Sequence, residues 1–400
     1  MSFLLGVVIF VLALLISIML HETGHFLFAK KFHMKVTQYF VGFGPTLWSR
    51  QRGETEYGVK AIPLGGFVKI VGMTTLEEVD PADEARSFRR QPGWQRAIVL
   101  AAGSFMHFAL AFVLLFLLAV GIGVPKSTNS TTISAVSKCL PRTLKELDAG
   151  VCSRTAPESP AARAGLRVGD KVLSVAGHPV RTYTQLSDIL RRQPAGRPVA
   201  LVVDRGGRHL TLSVRPGTVR GGNGSYIAID VVNEIFRRVG PVSGVAYAGS
   251  TFGEIVVESG QAAAKLPAAL PDLFKSDRSK TAGGDVSSIV GAADDAGQVV
   301  QAGGGWQFTV SALLLIVVSL NIFVGAFNLL PLLPLDGGHL AILFYERIRA
   351  WLARLRGAPD PGLVDMQKLI PVSVGVFVLL VGLGLVLIAA DIFNPVHLIQ

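Results

Sequence analysis

The stretch FLLGVVIFVLALLISIMLHETGH at residues 3–25 decides the class of this protein. Residues 3–20 form an unbroken apolar run, and a helix needs about 20 such residues to cross a bilayer core of about 30 Å. The run lacks a charged leader and a small-residue cleavage site before His21. It is therefore interpreted as a retained membrane span rather than a signal peptide.

Three further apolar runs have the length of a membrane span, at residues 97–120, 308–330 and 370–390. Half of the 400 residues are hydrophobic, which is too many for an ordinary soluble domain. The stretches between the runs are too long for a bundle made only of spans. The sequence predicts a polytopic α-helical membrane protein with four transmembrane helices, in contact with membrane lipid, and a soluble module.

The orientation of the spans is predicted from the charge of the loops between them. The loops after the first and third spans are basic, so the positive-inside rule places both in the cytoplasm. The segment between spans two and three then lies outside, as do both termini. Because the basic residues are not gathered into a stripe with interleaved aromatics, the net charge of +10 does not indicate nucleic-acid binding. The basic residues of the two loops are Lys30, Lys31, Lys35, Arg50, Arg52, Lys60, Lys69, Arg86, Arg89, Arg90 and Arg96, and Arg347, Arg349, Arg354, Arg356 and Lys368.

The HETGH sequence directly after the first apolar run has the pattern of a metal site. On a helix, His21 and His25 differ by about 40° around the axis, so both imidazoles can bind one zinc ion. Glu22 between them can act as general base for hydrolysis. The pattern also arises by chance, and the alternative is a helix end with ordinary polar residues. Ionisable groups at membrane depth are expensive, which favours the metal site.

The segment NLLPLLPLDGGH at 328–339 offers the third ligand that a catalytic zinc requires. It ends the third span on the predicted cytoplasmic side, where the first span also ends, so Asp336 lies at the depth of the two histidines. The alternative is that Asp336 caps a helix beginning near His339. His339 itself is a weaker ligand candidate.

Residues 36–71 contain short alternating runs at 38–41, 57–61 and 67–71, separated by glycine and proline. This pattern predicts β-hairpins, and their apolar content suits the cytoplasmic half of the membrane. An extended substrate could pair with an open sheet edge there. The alternative is a small cytoplasmic sheet that contacts no substrate.

HExxH at the end of one span, combined with NxxPxxxLDGG at the end of another, resembles the site-2 protease family of intramembrane zinc metalloproteases. The stretch YFVGFGPTLWSRQRGETEYGVKAIPLGGFVKIVGM at 39–73 further resembles bacterial members that cleave anti-sigma factors, and within these an actinobacterial branch. The resemblance implies a bacterial cell membrane protein with one zinc per chain, bound by His21, His25 and Asp336, and Glu22 activating water. The implied partners are single-span membrane proteins such as anti-sigma factors, cut after an earlier protease has trimmed their external part.

The resemblance also implies that Asn321 and Asn328 hold the substrate backbone. They are seven residues apart and share a helix face, although interhelical hydrogen bonding is the alternative. One departure concerns the second span. Family members usually carry AGPxxN, whereas residues 102–107 are AGSFMH. His107 is interpreted as an interhelical histidine, with hydrogen bonding to a metal ligand as the alternative.

The external segment contains SPAARAGLRVGDKV at 159–172, which resembles bacterial PDZ domains. A helix at 161–164, a strand at 171–175, a second helix at 183–191 and strands at 199–204 and 209–214 are expected. Such an α+β domain binds extended peptides along a strand edge or bars substrates that are still bulky. Because the outside is oxidising, Cys139 and Cys152 are predicted to form a disulfide, with two reduced thiols as the alternative. Residues 242–270 are expected to form an amphipathic helix and 277–305 a flexible linker.

The predicted organisation assigns each part of the chain to a compartment. The segments are 1–35, the first span with HExxH; 36–96, the cytoplasmic hairpin loop; 97–120, the second span; 132–217, the extracytoplasmic PDZ domain; 218–305, the external helix and linker; 306–345, the third span with its LDGG motif; 346–369, a basic cytoplasmic loop; and 370–392, the fourth span.

Two other functions compete with the protease. A metal-binding scaffold without activity has no reason to keep Glu22 between two ligands. A metal transporter would need more carboxylates and histidines inside the spans than the sequence contains.

Overall fold

The structure is a computed structural model that describes residues 2–73, 77–143, 156–231, 234–274, 287–302 and 305–394. The chain forms two compact units. The helical unit comprises Met1–Gly121 and Gly240–Leu398, and the β-rich unit comprises Ile122–Val239. In chain order the helices are α1 (Ser2–Lys31), α2 (Gly93–Leu117), α3 (Pro160–Arg163), α4 (Tyr183–Arg191), α5 (Pro241–Ala269), α6 (Ile289–Ala302), α7 (Trp306–Asn328), α8 (Asp336–Leu355) and α9 (Ile370–Phe393).

Four helical segments of the helical unit are long and apolar enough to cross a membrane. They are Ser2–Lys31, Gly93–Ile122, Trp306–Asn328 and Met366–Phe393, and each corresponds to one of the predicted runs. The third ends at Asn328 rather than at residue 330, because the chain turns before Pro331. The prediction of four such helices is confirmed, while their orientation stays a prediction.

The first two spans approach each other closely at glycine. A Cβ atom on Gly24 of α1 would lie 2.5 Å from the Ala102 carbonyl oxygen of α2. Small residues allow this kind of close backbone contact between membrane helices. The approach places the HExxH turn of α1 directly against α2.

The strands β1 (Val36–Arg52) and β2 (Thr55–Ile70) follow the first span and form one sheet. They are longer than the three short runs that the sequence predicts. Gln38 to Val41 pair with Glu56 to Val59 on one side and with residues 66–69 on the other, because both strands bend at glycines such as Gly42 (φ +85°). Residues 66–70 therefore form an outer edge of the sheet.

Charged groups fasten the turn of this sheet to the end of α1. Glu54 accepts hydrogen bonds from both terminal nitrogens of Arg86 at 2.8 Å and lies 2.5 Å from Lys30 Nζ. The Arg86 and Lys30 side chains lower the pKa of the Glu54 carboxyl to about 2. Exposed hydrophobic side chains lie at the opposite end of the sheet, namely Phe43, Leu47, Trp48 and Ile62.

The β-rich unit is built on a four-stranded antiparallel sheet in the order β6-β5-β7-β8. Leu186 and Leu190 of α4 contribute to its buried core. The predicted helices and strands lie within about two residues of the observed ones. Its strands are β3 (Val124–Ser127), β4 (Ile133–Val136), β5 (Lys171–Val175), β6 (His178–Pro179), β7 (Val199–Arg205), β8 (Arg208–Val214), β9 (Gly217–Thr218), β10 (Ser225–Tyr226), β11 (Ile229–Val231) and β12 (Glu234–Arg237).

The β-rich unit extends beyond the predicted bounds of 132–217. Strand β12 pairs with β3 and strand β11 pairs with β4, so segments before and after the predicted domain close the unit together.

Residues 289–302 differ from the flexible linker that their composition predicted. They form helix α6, which packs against α1 so closely that a Cβ on Gly6 would lie 2.2 Å from the Ala296 carbonyl oxygen. The Asp391 carboxylate accepts a hydrogen bond from Ser288 N at 2.6 Å, just before α6 begins. The glycine and alanine content that resembled a linker instead permits close helix packing. The predicted helix at 242–270 corresponds to α5.

Asp170 is the buried charge on which the β-rich unit depends. Its side chain is fully buried, its oxygens accept from Arg205 Nε at 2.7 Å and Nη2 at 2.8 Å, and one also accepts from the Arg167 backbone N–H. We predict that Asp170→Asn destabilises this unit by about 2–4 kcal/mol, because it removes the charge that these donors compensate. Faster hydrogen exchange in peptides from β5 and β7 of the full-length protein would show it.

The exposed Asp188→Asn is the matched control for this substitution and should leave exchange unchanged. The Arg205 guanidinium holds the pKa of Asp170 below its usual range. The contribution of the Asp170–Arg205 pair to the free energy of unfolding is therefore complete above the ordinary aspartate pKa of about 4. It is lost as the pH falls further and Asp170 becomes protonated. Equal exchange rates in both variants would contradict the assignment.

Candidate metal centre

Two histidines and one aspartate converge near the end of α1. His21 Nε2 lies 3.1 Å from His25 Nε2, and each nitrogen lies 3.3 Å from Asp336 Oδ2. The histidines share one face of α1 because they are four residues apart. Within the described part of the chain, these three residues form the one group of histidine, cysteine and acidic side chains close enough to hold a metal ion.

Asp336 reaches the histidines because the chain folds tightly between α7 and α8. A Cβ on Gly337 would lie 2.3 Å from the Leu329 carbonyl, and one on Gly338 would lie 2.6 Å from Leu332. Only glycine allows the first turn of α8 to pack on this loop. Asp336 is the first residue of α8 and follows the N-cap residue Leu335, whose side chain makes no capping hydrogen bond. The N-cap position, which the alternative assigned to Asp336, is thus occupied by Leu335.

The three side chains fit a zinc ion. Zinc–ligand bonds of about 2.0–2.1 Å place the ligand atoms of a tetrahedral site about 3.3–3.4 Å apart, close to the distances here. His25 Nδ1 donates to the Val99 carbonyl oxygen at 2.7 Å, which leaves Nε2 as the bare nitrogen facing Asp336. Asp336 Oδ2 is buried without a hydrogen-bond partner in the described residues. A metal cation bound between the two histidine nitrogens and the carboxylate would give Asp336 Oδ2 a partner.

Glu22 lies beside the three residues rather than among them. Its Cγ is 3.3 Å from the position that a Cβ on Gly66 would occupy, and the Val68 backbone lies close enough to influence its carboxylate. Gly66 and Val68 belong to the outer edge of the β1–β2 sheet. The HExxH carboxylate and an open strand edge are therefore neighbours.

The two asparagines of α7 have different environments. Asn321 is fully buried: its Oδ1 accepts from Ser17 and from His107 Nδ1 at 2.8 Å, and its Nδ2 donates to the Val317 carbonyl at 2.8 Å. Interhelical hydrogen bonding, the alternative for this residue, is what the structure shows. The half-buried Asn328 makes no side-chain hydrogen bond to any described residue, so its amide is free for a ligand.

The remaining candidates lie outside the group of three residues. The ring of His107 is 5.0 Å from that of His21, and His339 lies on α8 outside the group. Cys139 is disulfide-bonded, whereas Cys152 lies outside the described residues. The disulfide between them stays a prediction.

Gly103 was not predicted from the sequence, but its position shapes the site. A Cβ there would lie 2.4 Å from His21 Cε1 and 2.5 Å from His25 Nε2, so only glycine leaves room for both rings. The run Ala102-Gly103-Ser104 in the middle of a span is the signal that could have indicated a close helix contact at this level.

We predict that Gly103→Ala weakens zinc binding on the order of 10- to 100-fold, because the methyl group displaces both imidazoles. Zinc content of detergent-purified protein, measured against a competing chelator, would test this. The control is Gly121→Ala, also in the second candidate span, where a Cβ meets nothing within 4 Å. Equal zinc affinity in the two variants would refute the role of Gly103.

Nearly the whole chain matches one family of known proteins. Residues 9–358 match peptidase family M50. The chain is 38% identical over 421 residues to the zinc metalloprotease Rip1 of Mycobacterium tuberculosis H37Rv, and the alignment covers 100% of both chains. It is 35% identical over 424 residues to Rip1 of Mycolicibacterium smegmatis, again over 100% of both. The chain therefore belongs to peptidase family M50, the site-2 proteases, and is a zinc metalloprotease of the membrane.

Proposed function

We propose that this enzyme hydrolyses a peptide bond inside the transmembrane segment of single-span membrane proteins. By resemblance to bacterial relatives, these substrates include anti-sigma factors. The observation that carries the proposal is the convergence of His21, His25 and Asp336 next to Glu22, at the end of a membrane-spanning helix. A hydrolytic site at the end of a span is accessible to a substrate that is itself in the membrane.

His21, His25 and Asp336 would hold the zinc ion, with two imidazole nitrogens and one carboxylate oxygen as ligands. When bound, zinc acts as a Lewis acid that polarises a peptide carbonyl and favours attack by water at neutral pH. The hydrogen bond from His25 to the Val99 carbonyl fixes which ring nitrogen is free to bind. Three protein ligands leave a position open for chemistry.

Glu22 is proposed to take a proton from the attacking water and to deliver it to the departing amine. A carboxylate can serve as base and then as acid in the same turnover. Glu22 suits this role because it is held beside the zinc ligands without being one of them. Its neighbours Gly66 and Val68 leave the carboxylate next to exposed backbone of β2.

The substrate is proposed to bind as an added strand along residues 66–70. These residues pair with β1 on one side only, so their other edge can hydrogen-bond to an extended chain. A membrane helix must unwind before its peptide bonds can be attacked, and unwound backbone in a membrane needs new partners. The free amide of Asn328 is proposed to hold the same segment.

The β-rich unit is proposed to be an external PDZ domain that excludes substrates which still carry a bulky external part. Its SPAARAGLRVGDKV sequence forms helix α3 and the turn into β5, as expected for such domains. The basic loops support the cytoplasmic location proposed for the metal centre. Capture of an extended peptide end is the second role open to this unit.

We predict that Glu22→Gln lowers cleavage of a reconstituted single-span substrate by about 100-fold or more, while zinc stays bound at about one ion per chain. Asp336→Ala should lose both zinc and cleavage. The control is His107→Asn, which lies near the site but outside the ligand group and should keep zinc. Cleavage retained by Glu22→Gln would refute the proposed mechanism.

We further predict that a substrate with a folded domain outside the membrane is cut slowly and that its trimmed form is cut fast. Deletion of residues 124–237 should remove this difference, because the excluding unit is absent. The rates of both substrates in proteoliposomes would test the filter. A deletion that slows only the trimmed substrate would instead identify the unit as a peptide receptor.

A further inference from the structure

Helix α8 carries an exposed apolar stripe that nothing in the catalytic proposal uses. Phe344 (57% exposed), Ile348 (57%), Trp351 (55%) and Leu355 (66%) recur at intervals of four, three and four residues. At 100° per residue they fall within about 60° of one another around the helix axis. They form one continuous face over nearly three turns.

The opposite face of α8 is packed against the rest of the helical unit. Leu343 is buried in a cluster with Phe88 and Leu100. Glu346 lies 3.3 Å from Arg96 and accepts a hydrogen bond from the Val364 backbone N–H at 2.9 Å. The helix is thus held in place by one side, and the apolar stripe is left unpartnered among the described residues.

Arginines flank the stripe on both sides. Arg347 and Arg354 lie about 60–80° from Phe344 in one direction, and Arg349 and Arg356 lie about 120–140° away in the other. In the part of the chain that the structure describes, none of the four forms an ion pair. The acidic residues of α8 instead contact other parts of the helical unit: Asp336 lies beside His21 and His25, and Glu346 lies beside Arg96. The charged residues that flank the exposed apolar stripe of α8 are therefore all arginines.

The chain connections place α8 at a membrane surface. It joins α7 to α9, the third and fourth candidate spans, through residues 329–335 and 356–369. Its arginines exclude it from the set of spanning helices. A helix of this kind, with an apolar stripe between basic margins, lies in the plane of the bilayer surface and binds anionic lipid.

We propose that the exposed face of α8 is a docking surface for anionic phospholipid. The stripe enters the acyl region, and the flanking arginines contact the phosphates. Because Asp336 is the first residue of α8, lipid that holds this helix also holds the residue that meets His21 and His25. The docking surface itself does not depend on the proposed protease mechanism.

Trp351 on the stripe provides a direct probe. The other three tryptophans, Trp48, Trp94 and Trp306, are replaced by phenylalanine in the full-length protein. The protein is reconstituted in phosphatidylcholine vesicles with or without phosphatidylglycerol, both with brominated acyl chains. We expect stronger quenching and bluer emission of Trp351 in the anionic vesicles.

The charge variant Arg354→Gln/Arg356→Gln should weaken docking on the order of tenfold in anionic vesicles, because each basic residue near the surface contributes to attraction. Arg349 is left intact, since it donates hydrogen bonds to the carbonyls of Pro361 and Gly362. The matched control is Arg191→Gln/Arg192→Gln, which removes two exposed charges from the β-rich unit.

Two results would overturn the proposal. The first is equal quenching of Trp351 in neutral and anionic vesicles. The second is blue emission that no brominated lipid quenches, because a protein surface would then cover the stripe. Zinc content of each variant, measured in the same samples, shows that the helical unit is intact.

Discussion

The candidate metal centre depends on bringing Asp336 to His21 and His25, which lie more than 300 positions earlier in the chain. Its ligand atom lies 3.3 Å from each of the two histidine nitrogens. Because both histidines are buried, a ring nitrogen that is not directed at the site is stabilised by a partner in the protein. His25 finds one in the Val99 carbonyl, and Gly24 and Gly103 allow α1 and α2 to approach closely enough for that contact. Asp336 is positioned by the loop between α7 and α8. Gly337 and Gly338 allow this loop to pack closely against the first turn of α8.

A second group of buried polar side chains lies one turn of α1 away from the metal ligands. Ser17 lies four residues before His21, and it meets His107 and Asn321 between three spans. Polar side chains inside a membrane form such interhelical contacts when each has a partner. His107 stands where the family pattern has asparagine, and its ring still engages the Asn321 amide. The departure in sequence preserves a polar link among the helices that surround the site.

The sequence predicted those features that follow from length, hydropathy and short motifs. The four long apolar helices could be predicted because a helix that crosses a bilayer needs about 20 apolar residues. The helices and strands of the β-rich unit could be predicted from the alternation of apolar and polar residues and from the turn residues between them. The burial of the Asn321 side chain could not be predicted, since a span that is apolar on nearly all faces has no periodicity that distinguishes its buried face from an accessible one. Helix α6 was mistaken for a linker because small residues serve loops and close helix packing alike. Gly103 was missed because its importance lies in contacts between helices.

The β1–β2 sheet is held at one end and unsupported at the other. Glu54 pins its turn to Lys30 and Arg86, and backbone hydrogen bonds at Lys35 and Val71 fix its base. Phe43, Leu47 and Trp48 project from the far end without such ties. The sheet is therefore anchored at the end that carries its turn, and its far end carries exposed apolar side chains. In the proposed strand addition along residues 66–70, this anchored end would set the distance between Glu22 and a bound chain, and with it the position of the bond that is cut.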